Sequence, residues 1–211
     1  MKISLINGSP KSKNSCSEYI LSEVKNLISE DNEVFEFNAR GGILPLRFLE
    51  TLYNSDTLVL AFPLYVDSIP SHFLRFLESL EVYFKTKGSR PLKVYAICNC
   101  GFYEPSQNNI ALSIIENWCN KCNLIYAQGL SIGAGPLFSN LANVRLGEGL
   151  KKNLGIALNE LSKNIINDEV NSNIYTTPNI PKRLYIYEGN ISWTLVAKKN
   201  GLKKRDIYSL R

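Results

Sequence analysis

Histidine is almost absent: the 211 residues contain one, His72. A single imidazole cannot build a multi-histidine metal site, and no serine and aspartate are arranged around it as a catalytic triad. No stretch approaches the ~18 uninterrupted apolar residues of a membrane-spanning helix. The glycine pattern Gly-x-Gly-x-x-Gly of dinucleotide sites is missing, and no Gly-Lys-Ser/Thr closes a Walker loop. Charge of one sign is also missing from most of the chain. Residues 1–180 hold 16 Lys/Arg and 17 Asp/Glu, net −1, whereas residues 181–211 hold 8 and 2, net +6. A neutral body with a basic tail offers no body-wide surface for nucleic acid. The start, MKISLINGSP, has one lysine and an apolar run too short for a secretory signal. Together with five cysteines, an odd number, this predicts a reducing, cytoplasmic setting.

What is present is globular. With 45% apolar and 20% charged residues the chain is no disordered polymer. At this length one domain buries roughly 70% of the surface its unfolded chain exposes, so it folds without staples. Four apolar runs have strand length: Ile3–Ile6, Thr57–Phe62, Leu92–Cys98, and Leu124–Ala127 continuing through Leu130–Ile132. Near-continuous apolar runs predict strands covered on both faces, as in parallel sheets. Glu33–Phe37 alternates and predicts an edge strand. Helical spacing fills the gaps over residues 15–29, 70–84, 107–121 and 147–166, with room for a short helix in 38–56. Ser15-x-x-Glu18 predicts a capping box, and Ser106 an N-cap. Strand and helix alternating predict a doubly wound α/β sheet over residues 1–170. Residues 171–211 read as an extension: a polar linker, a strand at Leu184–Tyr187, and a short helix over 191–200 ended by Gly201. Some 30 residues hold no core of their own, so the extension must pack on the body or on a second subunit.

Three strand ends carry polar or aromatic loops. Asn7–Ser15 runs from the first strand into a helix start. Its serines, Asn14, Lys11 and exposed N–H groups make an anion site, and a phosphate monoester suits it better than a pyrophosphate. The alternative is an ordinary polar turn with a capping box. Phe62–Pro70 is stiffened by Pro63 and Pro70 and offers the flat face of Tyr65. Asn99–Gln107 adds Gly101, Phe102, Tyr103 and Glu104. In an open α/β sheet these loops share one edge, where ligands bind. Together they suit a planar ring with a phosphorylated tail.

These residues resemble the flavodoxin-like NAD(P)H-dependent FMN reductases. Asn7-Gly8-Ser9-Pro10-Lys11 with Asn14-Ser15 is similar to that family's phosphate loop, and Pro63-Leu64-Tyr65 with Ser68-Ile69-Pro70 to its flavin loop. The resemblance implies a five-stranded sheet of order 2-1-3-4-5 and a bound FMN, with NAD(P)H as hydride donor and a flavin, quinone or similar small acceptor. By matching position, Ser9, Lys11, Asn14 and Ser15 would hold the phosphate. Pro63, Leu64, Tyr65 and Val66 would line the ring, and Asn99, Gly101 and Phe102 would close the third side. It implies no side-chain nucleophile; Glu104 either orients substrate or caps the next helix. A homodimer with the extension near its interface fits this family. A flavodoxin-like electron carrier is the rival reading, and the near-neutral body favours an enzyme. Cys98, Cys100, Cys119 and Cys122 read as buried thiols rather than metal ligands.

Overall fold

The computed structural model describes residues 1–41, 45–88, 90–141, 143–203 and 206. Six parallel strands form one sheet of order β2-β1-β3-β4-β5-β6. They are β1 (Lys2–Asn7), β2 (Glu33–Asn38), β3 (Thr57–Pro63), β4 (Lys93–Asn99), β5 (Ile125–Ile132) and β6 (Ile174–Thr176). Among the described residues the helices are α1 (Cys16–Ile28), α2 (Leu46–Tyr53), α3 (Ser71–Lys87), α4 (Asn109–Lys121), α5 (Gly135–Asn140), α6 (Lys152–Ile166) and α7 (Lys182–Lys199).

The strand period of two sends successive side chains to opposite faces. Along β3, Leu58, Leu60 and Phe62 enter one apolar cluster while Val59 and Ala61 enter the other. Along β4, Val94, Ala96 and Cys98 oppose Tyr95 and Ile97 in the same way. The first cluster is closed by Phe73, Phe76, Leu77 and Leu80 of α3 and by Leu112, Ile115 and Trp118 of α4. The second is closed by Ile20, Val24 and Ile28 of α1 and by Leu154, Leu158 and Leu161 of α6. Helices therefore cover both faces, which is why the strands read as unbroken apolar runs.

The sixth strand is an addition to the five expected. Its three residues carry no apolar run, and side chains from outside it secure its approach. Asn173 Oδ1 accepts from Gly129 N at 2.7 Å and from the Tyr126 hydroxyl at 3.1 Å, and Gln128 Nε2 donates to the Ser172 carbonyl at 2.7 Å.

Two expectations are corrected. Ser106 does not cap a helix: residues 105–108 form a 3₁₀ turn, and α4 begins after Asn108. The segment Leu184–Tyr187 is not a strand but the first half of α7. A four-residue strand without a neighbour leaves its backbone polar groups unpaired, whereas a helix pairs them internally. At the end of α7, Gly201 takes φ +79°. Gly201 N donates to Lys198 O and Leu202 N to Ala197 O, each at 3.0 Å, the two bonds of a Schellman stop. The chain divides into two compact units, Met1–Pro178 and Asn179–Arg211. Residues 171–178, expected in the extension, thus lie in the first unit, because β6 joins the sheet. No helix among the described residues is long and apolar enough to cross a membrane.

Candidate functional site

Four loops meet at the carboxyl edge of the sheet. The first follows β1. Gly8 N donates to Ala61 O at 2.8 Å, and a Cβ at Gly8 would lie 2.8 Å from the Phe73 ring, so only glycine lets the loop pass this close. Asn7 Oδ1 accepts from Ser9 N at 2.9 Å, and Ser9 Oγ from Lys11 N at 3.3 Å. Asn14 adopts φ +55°, a conformation that asparagine tolerates. The capping box is present: Glu18 N donates to Ser15 Oγ at 3.0 Å and Ser15 N to Glu18 Oε2 at 3.3 Å. Among the described residues no acceptor meets the backbone N–H groups of Ser12, Lys13, Asn14, Cys16 and Ser17. The loop is thus ordered by its own side chains while the first turn of a 13-residue helix keeps open donors.

The second loop follows β3. Leu64 N donates to Asn99 O at 2.8 Å. Tyr65 and Ser68 exchange backbone hydrogen bonds at 2.9 and 3.0 Å around Val66 and Asp67, whose φ values are +49° and +56°. Positive φ at both central residues is the geometry of a type I′ turn, for which a β-branched residue is badly suited. Val66 is 98% exposed at its tip.

The third loop follows β4. Asn99 is buried, and its Nδ2 donates to Ser17 Oγ and to Phe62 O, each at 3.0 Å, tying β4 to β3 and α1. Nothing lies within 4 Å of a Cβ built on Gly101, so that stretch of backbone is open to close approach. Glu104 precedes the 3₁₀ turn without a side-chain capping bond. Asn108 is buried, and its Nδ2 reaches Cys98 O, Ser131 Oγ and Ile132 O at 2.9–3.3 Å, clamping the ends of β4 and β5.

The fourth loop follows β5 and was not read from the sequence. Ala134 N donates to Phe102 O at 2.6 Å and Gly135 N to Cys100 O at 2.8 Å. Cβ atoms at Gly133 and Gly135 would meet Tyr103 O at 2.1 Å and Asn99 Cβ at 2.9 Å. Two glycines in Gly133-Ala134-Gly135-Pro136, directly after an apolar run, were the available signal for a close approach.

Between these loops lies a cleft of about 160 Å³. Ser9, Lys11, Ser15, Pro63, Leu64, Tyr65, Asn99 and Gly101 line it, as do Cys16, Ser17, Cys100, Pro136 and Ser139. Asn14 lines instead a neighbouring cleft of about 470 Å³ that shares Ser15 and Ser139 with the first. Val66, Phe102 and Glu104 are not among the lining residues of either.

Among the described residues no Asp or Glu lines the first cleft. Burial pushes the Cys16 thiol up to about 12, partly offset by the Lys11 ammonium, and Cys16 Sγ donates to Gly135 O at 3.0 Å. Burial likewise raises Cys100. Both thiols stay protonated near neutral pH and offer no nucleophile. His72, at the start of α3, is half-buried; burial holds its imidazole below the usual range, and its Nε2 lacks a hydrogen bond. Lys151, beneath α1, is buried with its ammonium 4.6 Å from the Tyr19 ring centroid, and burial lowers its pKa. Among the described residues no group of three His, Cys, Asp or Glu side chains is placed to hold a metal.

No family model matches the sequence, and no curated protein matches it. Solved structures do. An NADPH-quinone reductase from P. pentosaceus superposes with TM-score 0.56 at 15% identity, over 77% of this chain and 98% of that one. An FMN-dependent NADH-azoreductase from Bacillus anthracis, in complex with FMN, gives 0.54 at 15% identity over 79% and 100%. The apo form of the NADH:FMN oxidoreductase EMOB gives 0.56 at 16% over 80% and 89%. The chain has the flavodoxin-like α/β fold, and its structural neighbours, at low sequence identity, are NAD(P)H quinone, azo and FMN reductases.

Proposed function

We propose that the cleft holds a flavin mononucleotide and that the protein is an NAD(P)H-dependent oxidoreductase reducing a flavin, quinone or similar small acceptor. The observation that carries this reading is the set of open donors at the start of α1. Among the lining residues, Cys16 and Ser17 have backbone N–H groups without acceptors, and they share the cleft with Ser9, Ser15 and Lys11 and with Pro63, Leu64, Tyr65 and Gly101. Donors alone, with no carboxylate among the lining residues, fit a phosphate dianion. A bound flavin supplies the hydride chemistry, so the chain's task is placement.

In that reading the first loop anchors the phosphate and the helix dipole favours its charge. Tyr65, 46% exposed, and the proline-stiffened backbone lie along the ring. Gly101, without a side chain, lets the ring edge approach the main chain. Pockets that enclose a drug-sized ligand measure about 300–1,000 Å³. A 160 Å³ cleft covers only part of a flavin and leaves one face for the nicotinamide and then the acceptor. Protonated Cys16 and Cys100 neither attack the cofactor nor compete for hydride.

The protein is also proposed to act as a homodimer, with residues 179–211 near the interface. Mass analysis of the cofactor released from purified protein, followed by anaerobic bleaching with NADH and NADPH, tests the catalytic reading. FMN with bleaching supports it. FMN without bleaching by either nucleotide points to an electron carrier. No flavin, even after reconstitution, contradicts it.

A further inference from the structure

Charge and apolar residues are arranged differently after Pro178 than before it. Residues 179–211 carry eight Lys/Arg and two acids, whereas residues 1–178 carry 16 and 17. The bases gather at the two ends of α7. Lys182 and Arg183 open it, Lys198 and Lys199 close it, and Lys203 and Lys204 follow. Between these ends, residues 184–197 hold a single charge, Glu188. At about 100° per residue, Tyr185, Ile186, Gly189, Trp193, Val196 and Ala197 fall within one arc of about 120°. Beyond the first residue of the helix no charge enters that arc: Glu188 and Lys198 each lie about 140° around the axis from Trp193. None of the residues of α7 is buried, and Trp193, near the centre of the arc, is 74% exposed.

Residues 184–197 make about 21 Å of helix, short of the ~30 Å hydrocarbon core of a bilayer. The segment is therefore too short to cross a membrane, in line with its hydropathy, but it is long enough to lie on one. Tryptophan and tyrosine favour the boundary between headgroups and acyl chains. Lysine and arginine stems run along that boundary while their charged ends stay with the phosphates. A nucleic acid would satisfy the bases and leave Ile186, Trp193 and Val196 in water. An uncharged apolar protein surface would cover those three and give the bases no counter-charge. An anionic lipid surface supplies both. We infer that α7 lies along an anionic lipid surface, with Tyr185, Ile186, Trp193 and Val196 facing the acyl chains and the bases at either end against lipid phosphates. The opposite side, with Leu184, Ile191 and Leu195, is left for protein contacts. The inference goes beyond the proposed function and holds whatever the cleft binds.

The test is co-sedimentation of the full chain with vesicles of phosphatidylcholine alone and of an equimolar mixture of phosphatidylcholine and phosphatidylglycerol, at low and high salt. The native protein should bind the anionic vesicles at least tenfold more tightly than the neutral ones, and high salt should weaken that binding. Trp193→Ser and the double variant Lys198→Glu/Lys199→Glu should each weaken it about tenfold, with far-UV circular dichroism verifying that both are folded. In parallel, brominated acyl chains should quench the tryptophan emission of the native protein. Trp118 is buried, its Nε1 donating to Leu77 O at 3.0 Å, so the quenched emission belongs to Trp193. This readout needs no variant and keeps the inference testable if one misfolds. Equal binding to the two vesicles, binding that salt or Trp193→Ser leaves unchanged, or unquenched emission would overturn the inference. Retention by duplex DNA or by an acidic protein, without binding to anionic vesicles, would also overturn it.

Discussion

The first and second site loops solve opposite problems. Asn7–Ser15 is relaxed: an asparagine takes the left-handed position, the turns are closed by the chain's own side chains, and a capping box starts the helix. Pro63–Pro70 is forced: the left-handed position at the tip of its hairpin falls on Val66, a residue that resists it. The relaxed loop keeps unspent hydrogen-bond donors, as suits the charged end of a ligand. The forced loop holds Tyr65 beside the cleft at a local conformational cost, which the two backbone bonds between Tyr65 and Ser68 and the flanking prolines offset. Order in the first is chemical and in the second mechanical.

Breaking the first loop's anchor should give the largest effect. Gly8→Val places side-chain carbon against Phe73 and Phe62, where even a Cβ is 2.8 and 3.0 Å from them. Thermal or urea unfolding should show a loss of about 1–3 kcal/mol. An unchanged midpoint would mean that the close approach of loop and core is not as described. Removing the cap by Ser15→Ala should cost about 1 kcal/mol by the same assay, with Glu18 left without its partner.

The second loop should respond in the other direction. Val66→Asn relieves the strained tip without touching the core, since Val66 is 98% exposed. A gain of up to about 1 kcal/mol in unfolding free energy is expected. A loss would show that valine is held there by a contact the monomer does not contain.

The smallest effect concerns pH. The Cys16 thiol rises from an ordinary value of 9.0 to about 12 on folding, because burial penalises its thiolate. The unfolded chain therefore sheds this proton first. The stabilisation is complete below pH 9 and is lost as pH climbs from 9 toward 12. In a Cys16→Ser variant the alkaline decline measured by urea unfolding should be shallower than in the native protein. Cys16 should also resist iodoacetamide at pH 7.5, as a half-buried, protonated thiol does.

The parts of this architecture that the sequence displays are those where one local rule acts alone. Apolar runs covered on both faces exposed four strands, and alternation exposed β2. The capping box at Ser15 needs only two residues three apart. Where tertiary contacts decide, the signal weakens. β6 is three residues long and is placed by Asn173 and Gln128 rather than by its own pattern. Leu184–Tyr187 has strand-forming residues yet lies in a helix, where its backbone groups pair within the segment. Asn99 lines the cleft, but its amide nitrogen is engaged by Ser17 and Phe62, which residue type does not reveal. The fourth loop was hidden because small residues after a strand read as a turn until the backbone they admit is seen.

The central claim is that the donors at the start of α1 hold a phosphate. Titration of the apoprotein with FMN and with riboflavin, in the native form and in Ser9→Ala and Lys11→Ala, isolates that group. Hydrogen bonds to a charged partner contribute about 1.5–3 kcal/mol each, so the Ser9 variant should bind FMN about tenfold or more weakly. Lys11→Ala should weaken FMN in a salt-dependent manner, and riboflavin should be nearly unaffected by both. Equal losses for the two ligands, or native protein that binds FMN no better than riboflavin, would contradict the account.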